Sequence, residues 1–242
     1  MPNPTAAILI IGDEILTGRT REGNAHFLAG ELVKVGIDLR QIRVISDDHE
    51  TIRDAVRELS ASHDHLFTSG GIGPTHDDIT ADAVAAAFGA HLDVRDDARA
   101  ILGTYYAARH TEFTPARLRM ARIPDGARLI DNPVSGAPGF SLENCHVMAG
   151  VPNIFQAMVA GLLPRLTGGQ PLQSRNWLMM VPEASIADTL RALAEAHPLA
   201  AFGSYPFVQE GNYGTNLVVR STDPAALETG FTALKTAFPE GK

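Results

Sequence analysis

The sequence predicts an α/β fold: a three-layer, mostly parallel sheet with helices on both faces, followed by a small α+β module. Three observations lead there. Apolar, strand-like runs at 6–11, 37–46 and 65–68 alternate with segments whose apolar residues recur at helical spacing. The connections between them are short, and a β-α-β-α-β-α order of this kind gives a parallel sheet covered on both sides. The chain has 242 residues, 45% of them hydrophobic and 20% charged, ordinary globular composition and enough to bury a sizeable core. A turn-rich stretch, Thr167-Gly168-Gly169-Gln170-Pro171, reads as a linker, dividing the chain into domains at 1–168 and 169–242.

The elements follow in order. AAILII at 6–11 is apolar on both faces and reads as a buried strand ended by Gly12. After the polar loop DEILTGRTREG, Asn24 reads as the N-cap of a helix carrying Phe27, Leu28, Leu32 and Val35, stopped at Gly36. Residues 37–46 form a second strand, and 51–60 a helix that buries Ile52, Val56 and Leu59. His65 to Thr68 form a third strand, which runs into the glycine-rich loop Ser69 to Asp78 and a helix over 80–88. The middle, 95–109 and 115–122, reads as helical. A short β section with turns at Asp131-Asn132-Pro133 and Gly136-Ala137-Pro138-Gly139 precedes a strand at 145–149 and a helix at 153–166. In the second module the pattern predicts a strand at 177–181, a helix at 185–196 opened by Ser185 and Asp188, a core strand over 200–208, and a strand at 217–220. Asp223-Pro224 caps a last helix with Leu227, Phe231, Leu234 and Phe238 on one face.

Composition narrows the function. The net charge is −8 and no Lys/Arg run stands out, so a nucleic-acid role is not expected. The longest clean apolar run, 6–11, is far short of the roughly 18 residues a membrane helix needs, and Asp13 and Glu14 follow it directly, unlike a secretory leader. The one cysteine, Cys145, excludes a disulfide framework and reads as core. The expectation is a cytoplasmic protein with no membrane role.

The chemistry concentrates in loops that leave the carboxyl ends of the strands, where ligands of such sheets bind. In Ser69-Gly70-Gly71-Ile72-Gly73-Pro74-Thr75-His76-Asp77-Asp78 the glycines permit positive φ and close approach of a ligand, and the following helix start favours anions. No Gly-Lys-Ser/Thr follows, so it is not a P-loop, and the third glycine of a dinucleotide fingerprint is missing. Asp77 and Asp78 would repel a phosphate unless a divalent cation stood between, and Mg²⁺ typically takes one or two carboxylates with phosphate oxygens and water. Asp13-Glu14 after the first strand and Asp47-Asp48 after the second add four carboxylates; either member of the latter pair could instead cap the next helix. His76 could donate to a phosphate, or stand as an ordinary surface histidine. His63-x-His65 has ligand-like spacing but no third ligand nearby.

Four stretches, IIGDEILTGRTREGNAHFLAGEL, VISDD, SGGIGPTHDDIT and NPVSGAPGF with the later AGVP, resemble the molybdopterin-binding MoaB/MogA superfamily, and within it the amino-terminal domain of CinA (competence/damage-inducible) proteins. The resemblance covers about residues 6–166, and the tail 175–240 resembles the small module that follows this domain in CinA. The nicotinamide-mononucleotide deamidase domain of long CinA proteins is not expected in the chain. The resemblance implies that Asp78 is catalytic, places the strand-two aspartate at Asp47, also taken as catalytic, and matches Gly12, Asp13, Glu14 and Asn24 to the CinA-type pattern. Read with the carboxylate cluster and the glycine loop, Asp13, Glu14, Asp77 and Asp78 are expected to serve a metal, and Gly12, Asn24, Ser69, Gly70, Gly71, Gly73, Pro74, Thr75, Pro138 and Gly139 to contact substrate. His76 and Asp77 stand where cofactor-synthesis members often carry basic residues, which counts against a pterin phosphate held by Arg or Lys.

The expected function is a hydrolase of nucleotide pyrophosphates, ADP-ribose or FAD-like, using Mg²⁺ or another divalent cation. One alternative is a molybdopterin-binding or adenylylating protein of molybdenum-cofactor synthesis. Another is a non-catalytic nucleotide-binding module whose small domain recruits a partner. The resemblance also implies a homo-oligomer, a dimer or trimer.

Overall fold

In the computed structural model, which describes residues 2–209 and 211–240, the chain forms two compact units, Met1–Gly169 and Gln170–Lys242. The first opens with strand β1 (Thr5–Ile11), a one-turn helix α1 (Asp13–Leu16) inside the loop after it, helix α2 (Asn24–Lys34), strand β2 (Asp38–Ile45), helix α3 (His49–Ser62), strand β3 (His65–Ser69) and helix α4 (Thr80–Phe88). Strand β4 (Leu92–Val94), helices α5 (Asp96–Ala107) and α6 (Pro115–Leu118) and strand β5 (Arg122–Pro124) follow. Strands β6 (Arg128–Ile130), β7 (Gly139–Leu142) and β8 (Cys145–Met148) and helix α7 (Pro152–Leu162) complete the unit.

The main sheet runs β2-β1-β3-β8-β7-β6. The four strands β2, β1, β3 and β8 are parallel; β7 runs antiparallel to β8, and the edge strand β6 runs antiparallel to β7. Alternation along β1 explains its all-apolar sequence. Ala7, Leu9 and Ile11 enter a core with Ile52, Val56 and Leu59 of α3 and Val84 of α4. Ala6, Ile8 and Ile10 enter a second core on the other face, with Leu28 and Leu32 of α2 and Phe155 and Met158 of α7. A strand buried on both faces gains roughly 1.5–3 kcal/mol per large apolar side chain, which fixes the sheet and the loops at its carboxyl end.

Several sequence expectations are corrected. Asn24 is not an N-cap: Gly23 holds that position, and Asn24 lies within the first turn, its side chain spent on tertiary contacts. Helix α3 begins earlier than expected because Asp48 caps it, accepting from the N–H and hydroxyl of Thr51 at 2.9 and 2.6 Å. The segment 115–122 is helical only to Leu118, continues as a 3₁₀ turn over Arg119–Ala121, and ends in β5, which pairs with the unforeseen β4. Those strands are three residues each, too short to show a period. The helix over 153–166 is α-helical from Pro152 to Leu162 and 3₁₀ beyond it, at Leu163-Pro164-Arg165.

The second unit holds strand β9 (Gln173–Met179), helix α8 (Ala187–Ala196), strands β10 (Ala201–Gln209) and β11 (Asn212–Ser221) and helix α9 (Pro224–Ala237). Its sheet runs β10-β11-β9, antiparallel throughout. Met179, Leu217, Val219, Leu227 and Leu234 form its core, with Trp177 and Phe231 against them. The expected capping pair at α8 does not form: Ser185 donates to the Pro182 carbonyl and Asp188 pairs with Arg191. Strand β10 is an edge rather than a core strand, with Tyr205 and Val208 exposed. Asp223 caps α9 as the sequence predicts, accepting from Ala225 at 2.8 Å.

Candidate functional site

A cleft of about 650 Å³ opens at the carboxyl ends of β1 and β3 in the first unit. Its floor is backbone. Gly70 ends β3 with φ +114°, a conformation that favours glycine, and a Cβ there would collide with the Ile11 carbonyl oxygen. Gly71 follows at φ +67°, packed against the hydroxyl of Thr80. Thr80 is fully buried and ties the loop at both ends: its hydroxyl donates to the Gly70 carbonyl at 3.0 Å and its N–H to the Gly71 carbonyl at 3.0 Å. The loop therefore holds its shape through its own backbone, and no acceptor among the described residues takes the N–H of Gly71, Ile72 or Gly73. Such unpaired amides at a strand-to-helix turn suit an anion.

The rim is acidic. Glu14, Asp47, Asp77 and Asp78 line the cleft, and none of its lining residues is Lys, Arg or His. Asp78 folds back on its loop: Oδ2 accepts from the N–H and hydroxyl of Thr75 at 2.7 and 2.6 Å, and the carboxylate packs on Gly73. Oδ1 makes no hydrogen bond among the described residues. Asp47 reaches from the end of β2 to accept the Asp13 N–H at 2.9 Å, so it caps α1. Burial pushes its carboxyl above the ordinary range, and the charges of Asp13, Glu14 and Asp77 push the same way against that hydrogen bond.

The remaining expected site residues divide. Gly12, Gly70, Gly71, Gly73 and Pro74 line the cleft. Asn24 and Ser69 lie beneath it, 6% and 2% exposed. Asn24 Nδ2 donates to Ser69 Oγ at 2.8 Å and to the Gly150 carbonyl at 2.7 Å, which ties α2 to both loops of the floor. Thr75 faces the other flank of the loop, and Asp13 contributes its N–H while its side chain is exposed. Pro138 and Gly139 do not line the cleft. They are buried at the start of β7, where a Cβ on Gly139 would strike the Val147 carbonyl, so close packing explains that glycine. Asp48 is the cap of α3, and among the described residues no three His, Cys, Asp or Glu side chains stand together to hold a metal unaided. His63 bonds to the Leu59 carbonyl and His65 faces His146 at 3.3 Å, so the His-x-His pair does not converge. Cys145 is fully buried, and burial pushes its thiol up.

With this geometry, comparison with known proteins is decisive for residues 7–168, which match the family described as a probable molybdopterin binding domain. The chain belongs to this family. Residues 171–242 match a second family, the FAD synthase middle domain. A CinA-like protein of Desulfosudis oleivorans is 35% identical over 209 residues, 82% of this chain and 51% of its own. A probable FAD synthase of Caenorhabditis elegans is 31% identical over 258 aligned positions, covering 96% of this chain and 49% of its own. The chain thus spans about half the length of both relatives. Among solved structures, the CinA protein of Thermoplasma acidophilum superposes with TM-score 0.62 at 34% identity, covering 66% of this chain and 98% of that one. No described helix of this molybdopterin-binding-domain family member is long and apolar enough to cross a membrane.

Within this member of the molybdopterin-binding-domain family, sequence reasoning did not find the wall opposite the acids: Tyr106, Met120, Asn132, Val151 and Ile154. Tyr106 and Met120 come from segments read only as helical, without a signal of function. Asn132 carried one, the Asn-Pro turn. Its Oδ1 accepts from the N–H groups of Val134 and Ser135, and its Nδ2 donates to the Ala137 carbonyl at 2.8 Å, which shapes the loop over the cleft.

Proposed function

We propose that the chain hydrolyses nucleotide pyrophosphates of the ADP-ribose or FAD type with the help of a divalent cation. The observation that carries this reading is the pairing of an amide-lined glycine floor with four carboxylates and no cationic side chain in one cleft. The amides suit a phosphate, while the carboxylates repel it, and a cation between them reconciles the two. Glu14, Asp47, Asp77 and Asp78 are the side chains that would share such an ion with phosphate oxygens and water; none of them forms a closed ligand set alone. When bound, the ion would offset phosphate charge and favour attack by water. The apolar wall of Tyr106, Met120, Val151 and Ile154 suits a base or flavin ring. The relatives named CinA-like and FAD synthase support a nucleotide ligand.

In this reading the N–H groups of Gly71 and Gly73 hold one phosphate. Thr75 holds Asp78 through Oδ2, and the Asp78 carboxylate would help to hold the cation or orient the attacking water. Asp47, raised by burial, would take the proton of the attacking water as its oxygen bonds to phosphorus, and the leaving phosphate would depart with the bridging oxygen as its anion.

The test is a panel of ADP-ribose, FAD, NADH and ATP with Mg²⁺, Co²⁺ or EDTA, resolved by chromatography. AMP is expected from ADP-ribose or FAD only with metal. Asp78→Asn keeps the acceptor for Thr75 and is expected to lower kcat at least 100-fold with an unchanged circular dichroism spectrum; an unchanged kcat sinks the assignment. The family match favours a second reading, pterin binding without hydrolysis. A blank panel together with saturable molybdopterin binding would establish that one instead.

A further inference from the structure

At the opposite end of the sheet from the cleft, the first unit holds another cavity, of about 630 Å³. It lies at the amino-terminal ends of β3 and β8 and the carboxyl end of β7, and shares no lining residue with the cleft. A row of side chains from adjacent strands lines it. Register places Arg128 of β6 opposite Ser141 of β7, and Ser141 opposite His146 of β8. Ser141 Oγ lies 2.9 Å from His146 Nδ1, and His146 Nε2 lies 3.3 Å from His65 Nδ1. Burial lowers the pKa of His146 to about 3, so the middle of the row is uncharged at pH 7. Leu162 at the end of α7 and Leu166 beyond it add an apolar wall.

Two carboxylates and two guanidiniums line this cavity, and one of each is already used. Asp64 accepts from the N–H and hydroxyl of Thr5 at 2.7 and 2.8 Å. Arg165 pairs with Asp131 at 3.1 Å and donates to the Leu129 carbonyl at 3.2 Å. Arg128 and Glu143 are exposed and have no hydrogen bond or ion pair among the described residues. Glu143 stands two residues beyond Ser141, so strand spacing puts its α-carbon roughly 8 Å from that of Arg128. Its place is set by the turn between β7 and β8, where it has φ +49°, an uncommon conformation for a residue other than glycine. Asn144 fixes that turn, donating to the carbonyls of Ser60 and His63 at 2.9 Å each. The cavity thus carries one free charge of each sign, with neutral hydrogen-bonding groups and an apolar wall beside them.

We infer that this cavity is a binding site for a small zwitterion of the amino-acid or dipeptide class, with its carboxylate on Arg128, its ammonium on Glu143 and an apolar side chain against Leu162 and Leu166. The lining charges cancel, so a phosphate meets the two carboxylates and a polyamine meets the two guanidiniums, whereas a zwitterion finds a free complement for each of its ends. A charge-assisted hydrogen bond of about 2.8 Å at each end leaves a span suited to the two termini of one or two residues. The Ser141 hydroxyl, next to Arg128 in the row, is placed to bond a peptide group between those termini. The site is independent of the pyrophosphatase reading and lies at the other pole of the same sheet.

The test is calorimetric titration of the full chain with the dipeptide Gly-Leu, its N-acetyl form and its C-terminal amide. Wild-type protein is expected to bind Gly-Leu saturably and each blocked form at least 10-fold more weakly, since each loses one charge-assisted hydrogen bond. Arg128→Gln should bind Gly-Leu and its amide alike while still rejecting the acetylated form. Glu143→Gln should do the reverse, binding Gly-Leu and its acetylated form alike while still rejecting the amide. Both side chains are exposed and unpaired, so both variants are expected to keep the wild-type circular dichroism spectrum. No saturable binding of Gly-Leu, blocked forms that bind as tightly as Gly-Leu, or variants that keep the wild-type preference for both free termini would each overturn the inference.

Discussion

Gly70 is where the fold and the candidate chemistry meet in a single backbone position. Its φ of +114° and its contact with the Ile11 carbonyl leave no room for a side chain. Gly70→Ala is expected to cost roughly 2–4 kcal/mol in urea unfolding of the first unit, from strain and overpacking together. Asp47 carries the opposite prediction. Its carboxyl is raised by burial and by neighbouring acids, so its ionised form opposes folding above its own pKa and has no effect below the ordinary aspartate range, where both states are protonated. Asp47→Asn retains an acceptor for Asp13 and should raise the melting temperature at pH 7, a gain that vanishes in scans at pH 3. The same substitution is expected to lower turnover, so stability and activity move in opposite directions. These two residues were legible in the sequence because glycines and acids after an apolar strand stand out. Asn24 was legible as important and was misread as a cap, since its partners, Ser69 and the Gly150 carbonyl, lie 45 and 126 residues away.

At the scale of elements, the amino-terminal ends of β3 and β8 and the carboxyl end of β7 are clamped by a polar chain. Ser141 Oγ lies 2.9 Å from His146 Nδ1, and His146 Nε2 lies 3.3 Å from His65 Nδ1. His146 is 4% exposed and packs against Phe67, the rings tilted at 45° with centroids 5.1 Å apart. Burial, with the charge of His65 second, lowers its pKa to about 3. The unfolded chain binds that proton near pH 6.5 and the folded chain does not, so the contribution is intact above about pH 6.5 and is lost as pH falls toward 3. Between pH 7.5 and pH 5, wild-type protein should lose about 2 kcal/mol more than His146→Gln in urea unfolding. An equal loss in the two proteins would show that His146 does not sense this range. In sequence, His65 and His146 gave no sign of each other, because strand pairing between β3 and β8 brings them together across 81 residues. By contrast, the strands β1 to β3 and helices α2 to α4 were readable, since each buries a face whose period is visible locally. The short β4–β5 pair and the edge position of β10 depended on partners and were not.

Over the whole molecule, each of the two units has its own core. Leu217 is fully buried in the second, and Leu217→Ala is expected to cost roughly 2–5 kcal/mol there. Hydrogen exchange should show faster amides in β11 and α9, while β1 and β3 exchange as in wild-type protein; acceleration in β1 would contradict separate cores. The parallel order β2-β1-β3-β8 puts the ends of β1, β2 and β3 side by side, which is why three loops far apart in sequence supply one cleft. That convergence was predictable from the β-α-β-α-β-α order alone. The opposite wall was not, because Tyr106, Met120 and Ile154 come from a helix, a 3₁₀ turn and a second helix whose placement no local pattern announces.

The close approach of two loops has a consequence for changing what the cleft accepts. A Cβ on Gly150 would sit 3.2 Å from the Gly70 α-carbon, so the two loops meet main chain to main chain, and the Asn24 amide fastens them from below. Mutation therefore has almost no purchase on the bottom of the cleft. Redesign of ligand preference must work through the side walls, and a library confined to Tyr106, Met120, Val151 and Ile154 should yield altered ring selectivity from folded variants, whereas one that includes Gly70 should return mostly unfolded protein.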